Sequence, residues 1–210
     1  TTEIYTLSLH DALPISTPVT DGKYLIALFG SHGLYAYDLN GKLLWQQDLG
    51  ILDAGWFYDP DYQWEYGSSP IIYKDLVIIQ ADVQKNSFIA AYNIKTGKLA
   101  WKTPREEIPG WSTPTVFEGK SRVELITNGT KAIRGYDPQT GKELWRLTPN
   151  SEITKPTTVV AVDLVYVTSG YRPGPPISAI RLGSGAGSIP LPEGKDSPEA
   201  LAWGKPRGGP

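Results

Sequence analysis

Short apolar runs separated by polar turns recur along this chain, and none carries the three-and-four spacing of a helix. Four of them, 24–29, 76–81, 123–127 and 164–169, are nearly continuous in Val, Ile and Leu. A strand that is apolar on both faces has to be covered on both faces. Each run has the same neighbours. A short strand opening on proline precedes it, at 18–20, 70–73, 114–117 and 156–162, and a tight polar turn joins the two (Asp21-Gly22, Lys74-Asp75, Glu118-Gly119-Lys120, Asp163). A third strand follows at 34–37, 88–92, 132–136 and 177–181, then a fourth at 42–45, 98–101, 143–145 and 201–203.

The link between third and fourth strands is the most regular feature. Tyr-Asp or Tyr-Asn leads into a turn holding Gly41, Gly97 or Gly141, then Lys, and the fourth strand closes on Trp45, Trp101 or Trp145. A glycine at that place supplies positive φ, which makes the unit a hairpin. The tryptophans lie 56 and then 44 residues apart, and self-similarity at about 40–50 residues signals an array of sheet modules. The expectation is an all-β chain: a partial β-propeller of about four four-stranded antiparallel blades at 17–45, 68–101, 112–145 and 154–203. Sequential antiparallel strands make each blade a meander, and radial stacking hides the edges. The closing tryptophans are expected to fill the seams between sheets.

Alternation of strand direction then sorts the connections. The tight turns fall at one end of the array. The links between second and third strands and the long inter-blade loops, 46–69, 102–113 and 146–155, fall at the other. Function tends to sit on elaborated loops held by a rigid scaffold, so the second end is the candidate face.

Composition narrows the classes. With 22 Gly and 18 Pro among 210 residues, the chain is too rich in turn formers for a helical protein. It has no cysteine, which removes disulfides, thiolate nucleophiles and Cys-based zinc sites together. No apolar run approaches the roughly 20 residues that cross a bilayer. Net charge is −2, with acids and bases interleaved, and a nucleic-acid partner would need a basic excess persisting over one face.

The ends depart from the repeat. Residues 1–16, TTEIYTLSLHDALPIS, resemble the translation of a short-read sequencing adapter and are set aside from the fold. On this reading the frame opens inside a gene and any export signal lies upstream. Residues 182–200 are a Gly-, Ser- and Pro-rich excursion replacing the last tight turn, read as loop or linker. Residues 204–210 read as the truncated start of a further repeat.

The repeated Tyr-Asp/Asn, Thr-Gly-Lys and Leu-x-Trp elements, with Ser-Ser-Pro70, Ser-Thr-Pro114 and Gly170-Tyr171, resemble the pyrroloquinoline-quinone (PQQ) repeat of quinoprotein-like propellers. The resemblance spans about 17–203. It implies a ring of about eight blades, of which four are half, and a periplasmic or cell-envelope location. It is shared by quinoprotein alcohol dehydrogenases and BamB-like assembly lipoproteins. Enzyme members imply PQQ at the ring centre beside calcium, an aspartate base and often a disulfide of adjacent cysteines. No cofactor is expected in this fragment, and PQQ and calcium belong to the full-length protein if to any part.

Few residues here offer chemistry. Asp59-Pro60-Asp61 with Glu65 is the nearest approach to a calcium set, on a loop where solvated acids are the plainer reading. His32 lies in a Gly-Ser-His-Gly turn without nucleophile or orienting acid. Asn128-Gly129-Thr130 matches a glycosylation pattern in a turn, and the glycines at 183–187 lack the strand-to-helix setting of a phosphate loop. More notable is the first long loop, which packs Trp56, Phe57, Tyr58, Tyr62, Trp64 and Tyr66 into eleven residues. These rings either fold over the face as a private core or present a partner or sugar surface. The candidate interaction face is Trp56, Tyr58, Trp64, Tyr66 and, from the next loop, Trp111. The leading functional reading is a non-catalytic scaffold or binding module taking a protein partner or small ligand on this face, and otherwise contacting the missing blades of its own ring. The alternative is a fragment of a PQQ-dependent alcohol or sugar dehydrogenase.

Overall fold

The computed structural model describes residues 16–59, 61–119, 122–148, 150–168, 177–183, 187–190 and 201–205. The adapter-like segment lies outside them except for Ser16, as do residues 206–210 of the last expected repeat and Gly170-Tyr171.

The described residues form four sheets. The first runs β1 (Val19–Thr20), β2 (Tyr24–Leu28), β3 (Leu34–Asp38) and β4 (Leu43–Gln47). The second runs β5 (Ile71–Tyr73), β6 (Leu76–Ala81), β7 (Phe88–Asn93) and β8 (Leu99–Pro104). The third holds β9 (Thr115–Glu118), β10 (Val123–Asn128), β11 (Ile133–Tyr136) and β12 (Glu143–Thr148). In the fourth, β13 (Val159–Ala161), β14 (Leu164–Thr168) and β15 (Ile177–Arg181) are followed by β17 (Leu201–Lys205). All are antiparallel meanders, the blades of a propeller.

Period-two alternation builds the seams. Val77, Ile79, Ala81, Ala90 and Tyr92 of the second blade join Ile26, Leu28, Leu34 and Trp45 of the first in one core. Their neighbours Ile78, Ile89 and Ala91 face the other way, onto Leu125 and Tyr136 of the third. A third core, with Trp145, Val165, Val167 and Ile180, joins the last two blades.

Every blade slips register once between its third and fourth strands, at Ala36/Tyr37, Ala91/Tyr92, Gly135/Tyr136 and Ala179/Ile180. Just past each slip a tryptophan stands opposite a small residue: Trp45 on Ala36, Trp101 on Ala91, Trp145 on Gly135 and Trp203 on Ala179. The bulge re-aims the indole, and the small partner leaves room for it. Trp45 then lies over the next blade's hairpin turn, its Nε1 donating to the Ile94 carbonyl at 2.8 Å. Trp101 repeats the contact on the Pro138 carbonyl at 3.1 Å. The glycine in each turn admits the ring, since a Cβ on Gly97 would come within 2.8 Å of Trp45, and one on Gly141 within 2.3 Å of Trp101. Gly41 holds the same turn position, and a Cβ there would meet nothing within 4 Å. Trp145 breaks the rule: its Nε1 donates to the buried Glu124 carboxylate of its own blade at 2.5 Å.

One expectation is corrected. The excursion after Arg181 is not wholly loop: β16 (Gly187–Pro190) lies parallel to β12 and makes the third sheet five-stranded. An outermost strand presents unpaired backbone groups, and a returning segment satisfies them.

Candidate functional site

Loop 48–70, between β4 and β5, folds back on itself. Trp64 N donates to Ala54 O at 3.0 Å and Trp56 N to Tyr62 O at 2.9 Å, on either side of the Gly55–Gln63 bridge. Asp59 closes the turn, accepting Tyr62 N on its carbonyl at 3.1 Å and Asp61 N on its carboxylate at 3.2 Å. In this ribbon residues 54, 56, 62 and 64 share one side, and 55 and 63 the other. Gly55 is required by close approach, because a Cβ there would sit 2.0 Å from the Tyr62 carbonyl oxygen.

The pleat therefore puts Trp56, Tyr62 and Trp64 on a single face, and they remain substantially exposed at 39, 58 and 46%. Trp56 meets Tyr58 and Tyr62 nearly at right angles, with ring centres 6.0 and 6.2 Å apart. Trp64 rests against Trp111 at 5.6 Å. Trp111 belongs to the second inter-blade loop, and its Nε1 donates to Glu65 O at 2.7 Å. Glu152, from the third, accepts the Tyr58 hydroxyl at 3.0 Å, and that bond raises the phenol's pKa. Three inter-blade loops thus share one aromatic surface. Tyr66 alone of the candidate rings turns inward: it is buried, with its hydroxyl on Gln80 O at 2.6 Å, and burial pushes its phenol far up.

The residues before the prolines tie the loops to the ring. Ser69 Oγ accepts Thr17 N, Thr113 Oγ1 accepts Ser69 N, Ser68 Oγ donates to Ser112 O, and Ser112 Oγ donates to Pro156 O. The Ser-Ser-Pro and Ser-Thr-Pro elements are rungs passing from blade to blade.

Beneath lies a buried polar layer. Arg105, just beyond β8, pairs with Asp82, just beyond β6, through Nε to Oδ1 at 2.6 Å and Nη2 to Oδ2 at 3.0 Å, both side chains fully buried. Its Nη1 reaches Thr127 Oγ1 at 2.9 Å and the Tyr136 hydroxyl at 2.7 Å on the third blade. Burial opposes the guanidinium's charge, but Asp82 and Tyr136 outweigh it and hold the pKa above its ordinary value. Glu107 accepts Arg134, Lys131 N and Ala132 N. Burial and the charge of Asp82 push its carboxyl up against the pull of Arg105 and Arg134. Gln80 Nε2 joins Asp82 at 2.7 Å to Asn128 O at 3.2 Å, and Asn128 Nδ2 donates to Pro156 O and Thr168 O. Asn128 is thereby buried rather than displayed for modification.

Sequence reasoning did not single out Asp82, Arg105, Glu107 or Arg134. Arg134 carried a signal, a lone charge inside an otherwise interior strand. The other three read as loop charges, because they follow strand ends. His32 is exposed in a 3-10 turn, where its carbonyl accepts the Tyr35 hydroxyl. Asp61 and Glu65 are exposed, and among the described residues no three His, Asp or Glu side chains converge as a metal set. No helix among them is long and apolar enough to cross a membrane.

Four meander sheets packed seam to seam, with loops gathered at one end, define a β-propeller. The chain belongs to the family described as outer membrane protein assembly factor BamB, whose profile matches residues 4–133. Quinoprotein alcohol dehydrogenase PedE of Pseudomonas putida is 29% identical over 152 residues, covering 66% of this chain and 24% of the relative. Methanol dehydrogenase [cytochrome c] subunit 1 of Methylorubrum extorquens is 27% identical over 161 residues, covering 67% and 24%. The chain thus spans about a quarter of the length of these curated relatives. Among solved structures, BamB from Moraxella catarrhalis superposes with a TM-score of 0.61 at 18% identity, covering 89% of this chain and 53% of that one. Quinohemoprotein alcohol dehydrogenase ADHIIG from Pseudomonas putida HK5 superposes with 0.60 at 15%, covering 93% and 34%. At these identities the structural likeness speaks for the fold.

The described residues do not fit a PQQ–calcium centre. Calcium takes about six to eight oxygens, whereas the buried carboxylates among the described residues, Asp82, Glu107 and Glu124, are already engaged by Arg105, Gln80, Arg134, Arg122, Trp145 and backbone amides. A cation would have to displace two buried guanidinium groups.

Proposed function

We propose that this part of the protein is a non-catalytic binding module whose working surface is the long-loop face. The observation that carries the reading is the 54–64 ribbon, which holds Trp56, Tyr62 and Trp64 on one exposed side. Rigid aromatic side chains fixed by a buried scaffold are suited to recognition, since little conformational freedom is lost on contact. The acids under that surface are bound to the chain's own arginines, in keeping with a supporting role. The family's description in terms of outer-membrane assembly favours a protein partner and an envelope location.

The second reading, a fragment of a PQQ-dependent alcohol or sugar dehydrogenase, draws on the curated relatives. One experiment separates them. After incubation with PQQ and calcium and gel filtration, the binding-module reading expects the cofactor to elute apart from the protein. Co-eluting cofactor absorbance together with dye-linked alcohol oxidation would overturn it.

A further inference from the structure

The geometry and charge of the aromatic face select among ligands. Trp56 stands at 87° to Tyr58 and 78° to Tyr62, so these rings form a corner with walls rather than a flat platform on which a sugar ring would stack. The loop that carries them, 51–69, contains four acids, Asp53, Asp59, Asp61 and Glu65, two of them in the turn between Tyr58 and Tyr62, and no Lys, Arg or His. No described Lys or Arg forms an ion pair with any of the four.

Elsewhere the chain's own cations cover aromatic faces. Lys102 lies 3.8 Å from the centre of the Phe88 ring, Lys74 5.0 Å from Tyr73, and Arg105 5.6 Å from Tyr136. Among the described residues no cation lies over Trp56, Tyr58 or Tyr62. The corner pairs π faces with unneutralised carboxylates, and a desolvating cation gains from both.

We propose that the Trp56–Tyr58–Tyr62 corner receives an arginine or lysine side chain from a basic peptide segment of a partner protein. The assignment rests on the reading of this face as a binding surface and adds the charge of what it binds. Ring quadrupoles supply the cage, and the surrounding acids supply attraction reaching about 10 Å at 0.1 M salt.

The test titrates the whole chain, by calorimetry, with a hexa-arginine peptide, a hexa-glutamate peptide and maltohexaose. Hexa-arginine is expected to bind and hexa-glutamate and maltohexaose are not. Trp56→Ala should weaken hexa-arginine about fivefold without lowering the melting temperature, and Tyr62→Ala should do likewise. The pair Asp59→Asn and Asp61→Asn should weaken it further and flatten its salt dependence. Binding of maltohexaose in place of hexa-arginine overturns the cation assignment while leaving a recognition face. Hexa-arginine binding that is indifferent to both Trp56→Ala and Tyr62→Ala overturns it as well, by reducing it to diffuse acidity. Absence of binding by all three probes at millimolar concentration also overturns it, while leaving the test with PQQ and calcium to decide the broader reading.

Discussion

Gly41, Gly97 and Gly141 occupy one turn position at φ values of 82, 69 and 70°, yet they meet different surroundings. Any side chain at positive φ costs about 1 kcal/mol or more. At Gly141 a methyl group would also collide with Trp101 at 2.3 Å, whereas at Gly41 it meets open space. Gly41→Ala should therefore cost about 1 kcal/mol in denaturant unfolding and Gly141→Ala about 3 kcal/mol, the excess arising from displacement of the indole. Equal losses at the two sites would show that the seam does not depend on the close fit. Arg105 and Asp82 offer a second comparison at this scale. Asp82→Asn leaves a buried guanidinium without its counter-charge and should cost about 3–5 kcal/mol, while replacing the pair together by Leu and Met should cost markedly less. A double-mutant cycle measures the difference.

At the scale of elements, Gly55→Ala should prevent the ribbon 54–64 from closing, because backbone rather than a movable side chain blocks the methyl group. The expected result is a weakened near-ultraviolet tryptophan circular-dichroism band with the far-ultraviolet sheet signal retained. An unchanged aromatic band would show that the rings are not ordered by the ribbon. The strands themselves were legible because blade interiors demand unbroken apolar runs, and the hairpins because Asp38, Asn93 and Asp137 cap their turns through local hydrogen bonds. The crowding of aromatics in the first long loop was equally plain. What sequence could not convey was orientation. The inward turn of Tyr66 and the outward turn of Trp56 depend on pleat and on partners such as Gln80, distant in the chain. Asp82, Arg105 and Glu107 were hidden for the same reason: a charge just past a strand end looks solvated until the neighbouring blade covers it. The parallel pairing of β16 with β12 had no periodic signal at all, since its composition is that of a loop.

On the scale of the whole molecule, the sheets pack seam to seam, and the first and fourth blades each leave large apolar side chains exposed. Leu39, Leu43 and Leu44 are 60, 46 and 41% exposed on one, and Val159 and Trp203 are 61 and 40% exposed on the other. Such surfaces favour association. The mass measured by light scattering should rise with protein concentration, and Leu39→Glu combined with Leu44→Glu should suppress the rise. A concentration-independent monomer would contradict this expectation.

The direction of the indole contacts also bears on how the chain is made. Trp45 closes on a carbonyl at position 94, and Trp101 on one at position 138, so the first and second blades leave the ribosome before their locks exist. A nascent blade stays unsealed until nearly all of its successor has been synthesised. Order at these two seams consequently accumulates one module behind translation, and a chain stalled within the second or third blade carries the blade before it still open to solvent.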